Sequence, residues 1–285
     1  ATYSAITGNS DSVPDYEMLI TDPTSELNPT LMAISDAWKD FLTRDEMEDF
    51  NRHGYMSFAI DERLVLITLN TVPYSPLHTP KSSEVKDPFG QFEWLEKQLE
   101  IIRSENQFAY VCGHVPPIVD SYGGKPQWEV QYIRTYKRIV GAFSDVIKAQ
   151  LFGHVHSVEM RLPIQKQGLS MQTTPLFTAG SISPLFGNNP SFIVWEYDAF
   201  TYELLDYSVY GSNISTSQPF FSWSLLFRAS EAYKLTSLST RNLQFLLGQF
   251  ESDSNILEQY YWNTKAQSHR QPPLVDYSGR VSRLS

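Results

Sequence analysis

The sequence predicts an α/β fold: a strand-and-helix sandwich core completed by a largely β second half. Three observations predict it. From residue 57 onward, apolar runs of strand length alternate with segments of helical period. Glycine closes three of the apolar runs, at Gly8, Gly113 and Gly153. After His156 the helical period fades, and short strands separated by turn residues take over.

In order along the chain, "ATYSAITGN" opens like a strand, and "RLVLITLNT" (63–71) is a strongly apolar one. A loop rich in Pro, Ser and Lys follows. "DPFGQFEWLEKQLEIIRSEN" then predicts a helix, with Asp87 as its cap, Pro88 in its first turn and Phe92, Leu95, Leu99 and Ile102 as its buried stripe. "FAYVCGHVPPI" is the next strand, broken by Pro116-Pro117; "QWEVQYIRTYKRIVGAF" is helical; "KAQLFGHVH" is again a strand. "PLFTAGSISP", "SFIVWEYD" and "YELLDYSVY" supply the strands of the second half. The expected organisation is a core over 1–210, a linker over 211–219, and a small helical subdomain over 220–285. Its helical pieces are "SWSLLFRASEAYKL", "STRNLQFLLGQF" and "NILEQYYWNTK". Those pieces are too short to fold alone, so Leu225, Leu226, Phe227, Leu243, Leu246, Leu247 and Phe250 are expected to pack on the core.

The 285 residues suffice for one large core with a small satellite, and 41% hydrophobic with 19% charged residues is globular composition. Thirty-two acidic against 22 basic residues give a net charge of −10, which argues against non-specific nucleic-acid binding. A protein this negative that handles phosphate needs local positive charge, and metal ions are the obvious source. Cys112 is the single cysteine, so no intrachain disulfide forms. Asn213-Ile214-Ser215 is a glycosylation sequon should the chain be secreted, and no apolar stretch is long enough to span a membrane. The chain opens without Met and without a signal peptide, which predicts a processed product or part of a longer protein.

The three glycine-closed strands carry chemistry at their exits. Asn9 follows Gly8, His114 follows Gly113, and His154 and His156 follow Gly153. Ligand sites of α/β sheets lie beyond the carboxyl ends of strands. On a continuing strand, His154 and His156 would leave on the same side, with Val155 opposite. One Asn and three His form an N/O donor set suited to Zn, Mn or Fe. All four are expected to converge in one crevice. His53, His78 and His269 fall in polar loops and read as structural or solvent-facing. Tyr122, Trp128 and Tyr132 have helical spacing and read as core rather than as cleft lining.

"GNSD", "GHVPPI" and "FGHVH" resemble the closing motifs of the calcineurin-like metallophosphoesterases. Within that superfamily the chain resembles the acid sphingomyelinase-like phosphodiesterases and the endopolyphosphatases. "GSISPLFGNNPSFIVWEYD" and "LFRASEAYKL" extend the similarity through the second half. The resemblance implies a metallophosphoesterase-type β-sandwich flanked by helices, its N-terminal strands missing here, with a helical C-terminal subdomain. It implies two divalent ions, zinc foremost: Asn9, His114 and His154 on one, His156 on the other. It further implies hydrolysis of phosphodiester or phosphoanhydride bonds by a metal-activated water, in a secreted, lysosomal or vacuolar setting. The substrate would be a phosphorylated small molecule, a lipid or polyphosphate.

Two departures stand out. The family's Asp-x-His and Gly-Asp motifs precede GN, and the eight residues before Asn9 hold neither, so an N-terminal segment or a second chain is expected to complete the site. The usual GNH is GNS here, which puts Ser10 where the family has its catalytic His. A serine hydroxyl is too weak an acid to assist an alkoxide leaving group well, which favours phosphoanhydrides. The competing reading is a catalytically degenerate scaffold or a subunit of a larger complex.

Overall fold

The computed structural model describes residues 4, 6–121, 123–162, 174–214 and 222–271. Its contacts divide the chain into two units, one of residues 1–119 and 125–152, the other of 120–124 and 153–285.

The first unit is built on four strands: β1 (Met56–Ala59), β2 (Leu64–Leu69), β3 (Phe108–Gly113) and β4 (Ile147–Phe152). β1 pairs with β2 antiparallel, whereas β2–β3 and β3–β4 are parallel ladders. Parallel strands need crossovers, and helices α3 (Gln91–Ser104) and α4 (Val130–Ala142) provide them. Phe92, Leu95, Leu99 and Ile102 of α3 are all buried, as their spacing predicts. Asp87 caps α3 across an intervening 3₁₀ turn (Pro88–Gly90), accepting from the amides of Phe92 at 2.9 Å and Glu93 at 3.1 Å. Two further helices, α1 (Pro29–Ala37) and α2 (Arg44–His53), pack with β1 around Leu31, Ile34, Phe50, Met56 and Phe58. Both carry start signals in the sequence. Asn28 caps α1 with Pro29 behind it, and Thr43 with Glu46 forms a reciprocal capping box on α2.

The N-terminal strand is a correction. Ser4 and residues 6–8 lie in no strand, and the rest of that run falls outside the described residues. An apolar run becomes a strand only with a ladder partner, and none pairs with it among the described residues.

The second unit contains the antiparallel pair β5 (Glu159–Arg161) and β6 (Leu176–Thr178). It also contains a three-stranded antiparallel sheet of β7 (Ser191–Tyr197), β8 (Leu204–Gly211) and β9 (Ser224–Arg228). Helices α5 (Ala229–Tyr233), α6 (Thr240–Ser252) and α7 (Ser254–Thr264) follow. The segment expected to begin a helical subdomain therefore starts with a strand. Leu225 pairs with Tyr210 and Phe227 with Val209. A three-residue apolar run fits either period, and the open edge of β8 decides it. A bulge at Leu226, where the register with β8 shifts, breaks the alternation, exposing Leu225 and burying Phe227, so Leu225 leaves the expected contact stripe. Leu243, Leu246 and Phe250 of α6 do pack, around Met160, Leu162 and Tyr260. Of the expected linker, Gly211 ends β8, and residues 215–219 fall outside the described ones.

Candidate metal centre

Asn9 and His114 meet in the first unit although 105 positions separate them. The Asn9 carbonyl oxygen accepts from His114 Nε2 at 2.9 Å. Several close approaches place them. Gly8 lets the imidazole lie against the backbone, since a Cβ there would stand 3.3 Å from three ring atoms. Gly113 is more constrained: a Cβ would meet Phe152 Cε1 and Thr71 Cγ2, each at 2.7 Å. Past the histidine, the Val115 amide donates to Thr71 Oγ1 at 2.8 Å, and Trp128 Nε1 donates to the Val115 carbonyl at 2.8 Å. Residue 114 is thereby held on both sides.

Ser10 stands beside this pair. The Asn9 side-chain amide donates to Ser10 Oγ at 3.1 Å and to Asp15 Oδ2 at 3.2 Å, and Ser10 Oγ donates to the same Asp15 oxygen at 3.2 Å. A 3₁₀ turn, Asn9–Asp11, shapes the segment, with the Gly8 amide donating to Asp11 Oδ2 at 2.7 Å.

His154 and His156 belong to the second unit, and here the strand expectation is corrected. β4 ends at Phe152, and the two histidines occupy a turn in which both have left-handed backbones, φ 70° for His154 and 50° for His156. Strand alternation therefore does not set their directions. Non-glycine residues in this region are strained and need outside support. The support is visible. Lys265 Nζ donates to the carbonyls of Val155 at 3.4 Å and His156 at 3.2 Å, and Ser157 Oγ donates to Val155 at 3.1 Å. The Val158 amide bonds to the Thr264 carbonyl at 2.8 Å, so the end of α7 braces the turn. Burial brings Lys265 down to about 8, with Glu159 and Asp120 opposing.

Burial, then the positive charge of Lys265, lowers the proton affinity of His156; the Ser183 backbone and the Asn188 amide oppose them. His156 Nδ1 is buried without a hydrogen-bond partner, and the edge of Phe186 lies against the ring at 4.9 Å between centroids. A neutral imidazole with an unpartnered nitrogen is the ligand form of histidine.

The Asn9–His114 spacing fits a cation too. Donor atoms about 2.0–2.1 Å from one ion and about 90–110° apart are about 2.9–3.5 Å from each other. Among the described residues, no three His, Cys, Asp or Glu side chains cluster closely enough to hold a metal. The chain thus offers one Asn–His pair in its first unit and a His-x-His turn in its second.

The remaining histidines differ from expectation in part. His53 and His78 are buried and so structural, but His53 closes α2, its ring stacked 3.7 Å from that of Tyr55, rather than lying in a polar loop. His269 is exposed. Trp128 and Tyr132 are fully buried core residues, and Tyr122 falls outside the described residues. Cys112 is buried, which pushes its thiol up to about 12 and leaves it inert. Sequence reading missed Asp15 and Lys265. Asp15 lies six positions after Asn9 and was findable; Lys265 carries no local signal.

No family model matches the chain. It is 29% identical over 246 residues to sphingomyelinase phosphodiesterase D of Dictyostelium discoideum, covering 85% of this chain and 53% of that protein. It is 27% identical over 272 residues to the cyclic GMP-AMP phosphodiesterase SMPDL3A of Bos taurus, covering 89% and 57%. The solved structure of PhoD overlays 70% of this chain and 46% of its own at 11% identity, with a TM-score of 0.45. The chain spans little more than half the length of the curated relatives it matches. The curated relatives bear out the branch read from the glycine-marked motifs: the chain resembles the acid sphingomyelinase-like phosphodiesterases.

Proposed function

We propose that the chain carries metal-binding and substrate-facing parts of a phosphodiester hydrolase. The observation that supports this most is the Asn9–His114 pair, brought together at 2.9 Å behind two glycines that leave room for little else. Asn9 and His114 from the first unit, and His154 and His156 from the second, are the proposed ligands of two divalent ions. Nitrogen and amide-oxygen donors suit zinc, manganese or iron, zinc foremost. The bound ions would supply positive charge for the phosphoryl oxygens and acidify a water for attack at phosphorus.

The chain's own residues define the rest. Burial and Lys265 keep His156 neutral, so no proton need leave it before a metal binds. Ser10 Oγ already donates to Asp15, so its proton is committed away from a leaving group. A leaving group that departs well unprotonated is therefore favoured, as in phosphoanhydrides, endopolyphosphatase substrates among them, or aryl esters. The relatives named as sphingomyelinase and cyclic GMP-AMP phosphodiesterases support diesters as the broader class. A secreted, lysosomal or vacuolar protein glycosylated at Asn213, which is exposed, is part of the same proposal.

The test is hydrolysis of bis(p-nitrophenyl) phosphate by the purified protein with Zn²⁺ or Mn²⁺, with and without chelator. His114→Ala and Asn9→Ala should each lower kcat/KM by at least about 100-fold. Turnover that survives both chelation and His114→Ala would refute the proposal. Ser10→His refines it: turnover of alkyl diesters should rise more than that of aryl esters, because general-acid help is worth about 10²–10⁴-fold and only basic leaving groups need it.

A further inference from the structure

The Asn9 carboxamide can serve a cation only through its oxygen, and a primary amide has two nearly isosteric orientations. Something must choose between them. The choice is visible in the three hydrogen bonds around the amide nitrogen. Asn9 Nδ2 donates to Ser10 Oγ at 3.1 Å and to Asp15 Oδ2 at 3.2 Å, while Ser10 Oγ spends its own proton on that same carboxylate oxygen at 3.2 Å. Ser10 therefore accepts from Asn9 and donates to Asp15, a closed ring with one direction.

Turning the amide over would set Oδ1 against a hydroxyl oxygen whose proton points elsewhere and against a carboxylate. It would also aim Nδ2 at the His114 nitrogen, where a cation or an N–H stands. Both ends oppose the flip. We infer that Asp15, acting through Ser10 and directly, is a positioning residue that locks the Asn9 carboxamide with its oxygen toward His114. The inference rests on the proposed role of Asn9 as a ligand. It gives the serine of GNS a structural duty in place of proton donation. Partners behind a metal ligand commonly change affinity 10- to 100-fold when removed.

The test uses Asp15→Ala, Asp15→Asn and Ser10→Ala in the full chain. Divalent affinity is measured by titration calorimetry with Mn²⁺ or Zn²⁺, and the side-chain amide of Asn9 is followed by ¹⁵N NMR without metal. Asp15 is exposed, so the variants should keep the wild-type melting temperature. Asp15→Ala should weaken cation binding about 10- to 100-fold and speed exchange of the Asn9 amide hydrogens. Asp15→Asn retains an acceptor oxygen and should stay within about threefold of wild type, with Ser10→Ala between them. Equal losses in Asp15→Ala and Asp15→Asn would overturn the lock, since charge alone would then be at work. Wild-type affinity in Asp15→Ala would overturn it as well. If the wild type binds no divalent ion, the functional proposal falls, and the NMR comparison alone still upholds or overturns the lock.

Discussion

Gly113→Ala probes how tightly the His114 exit is built. The added methyl would stand 2.7 Å from both Phe152 Cε1 and Thr71 Cγ2, and 3.2 Å from Phe152 Cδ1. Neither neighbour has slack. Thr71 is fully buried, and its hydroxyl holds the Val115 amide at 2.8 Å, so retreat breaks that bond. Phe152 is edge-on to Trp128 and Tyr136, with ring centroids 6.5 and 6.4 Å away. Overpacking of this kind costs about 1–3 kcal/mol. For a chain of this size, a loss of about 2 kcal/mol lowers Tm by about 4–8 °C. The shift is read by calorimetry, alongside metal affinity. Because His114 is the next residue, affinity should fall in Gly113→Ala even at temperatures where the fold is intact. Thr71→Ser in the same chain removes one clashing methyl while keeping the hydroxyl, and should recover part of the loss. A Gly113→Ala protein with unchanged Tm and unchanged affinity would refute the steric reasoning.

Other outcomes follow from other parts of the fold. Lys265→Met removes the donor to two carbonyls of the strained His154–His156 turn and should cost about 1–3 kcal/mol in urea unfolding; an unchanged midpoint would show that Ser157 suffices. Leu246→Ala, at a buried position of α6 against Met160, should cost about 2–5 kcal/mol, and a loss below about 1 kcal/mol would count against that packing. His78 is buried, neither ring nitrogen has a partner in good geometry, and burial lowers its proton affinity against partial opposition from the Met18 and Pro80 backbones. The unfolded chain thus takes up a proton near pH 6.5 that the folded chain resists. Stability from this group is full above that pH and declines as the pH falls toward the folded value. His78→Leu should flatten this acid arm, and a curve parallel to wild type would exclude His78 as its source.

The strands at 64–69, 108–113 and 147–152, and the stripe of α3, were legible because each repeats a local period that its burial then obeys. The capping signals of α1 and α2 were present too, though unread. Two of the four proposed ligands, Asn9 and His114, each follow a glycine that records a close approach of the backbone, and that much was legible in one dimension. What only the tertiary structure decided depends on partners remote in sequence. β9 is a strand because β8 offers it an open edge. His154 and His156 leave β4 for a left-handed turn because Lys265, more than a hundred residues later, bonds its carbonyls. Asn9 faces His114 across 105 positions because Asp15 and Ser10 hold its amide from behind. Periodicity is carried by neighbours along the chain; the direction of a side chain is set by whatever the fold packs against it.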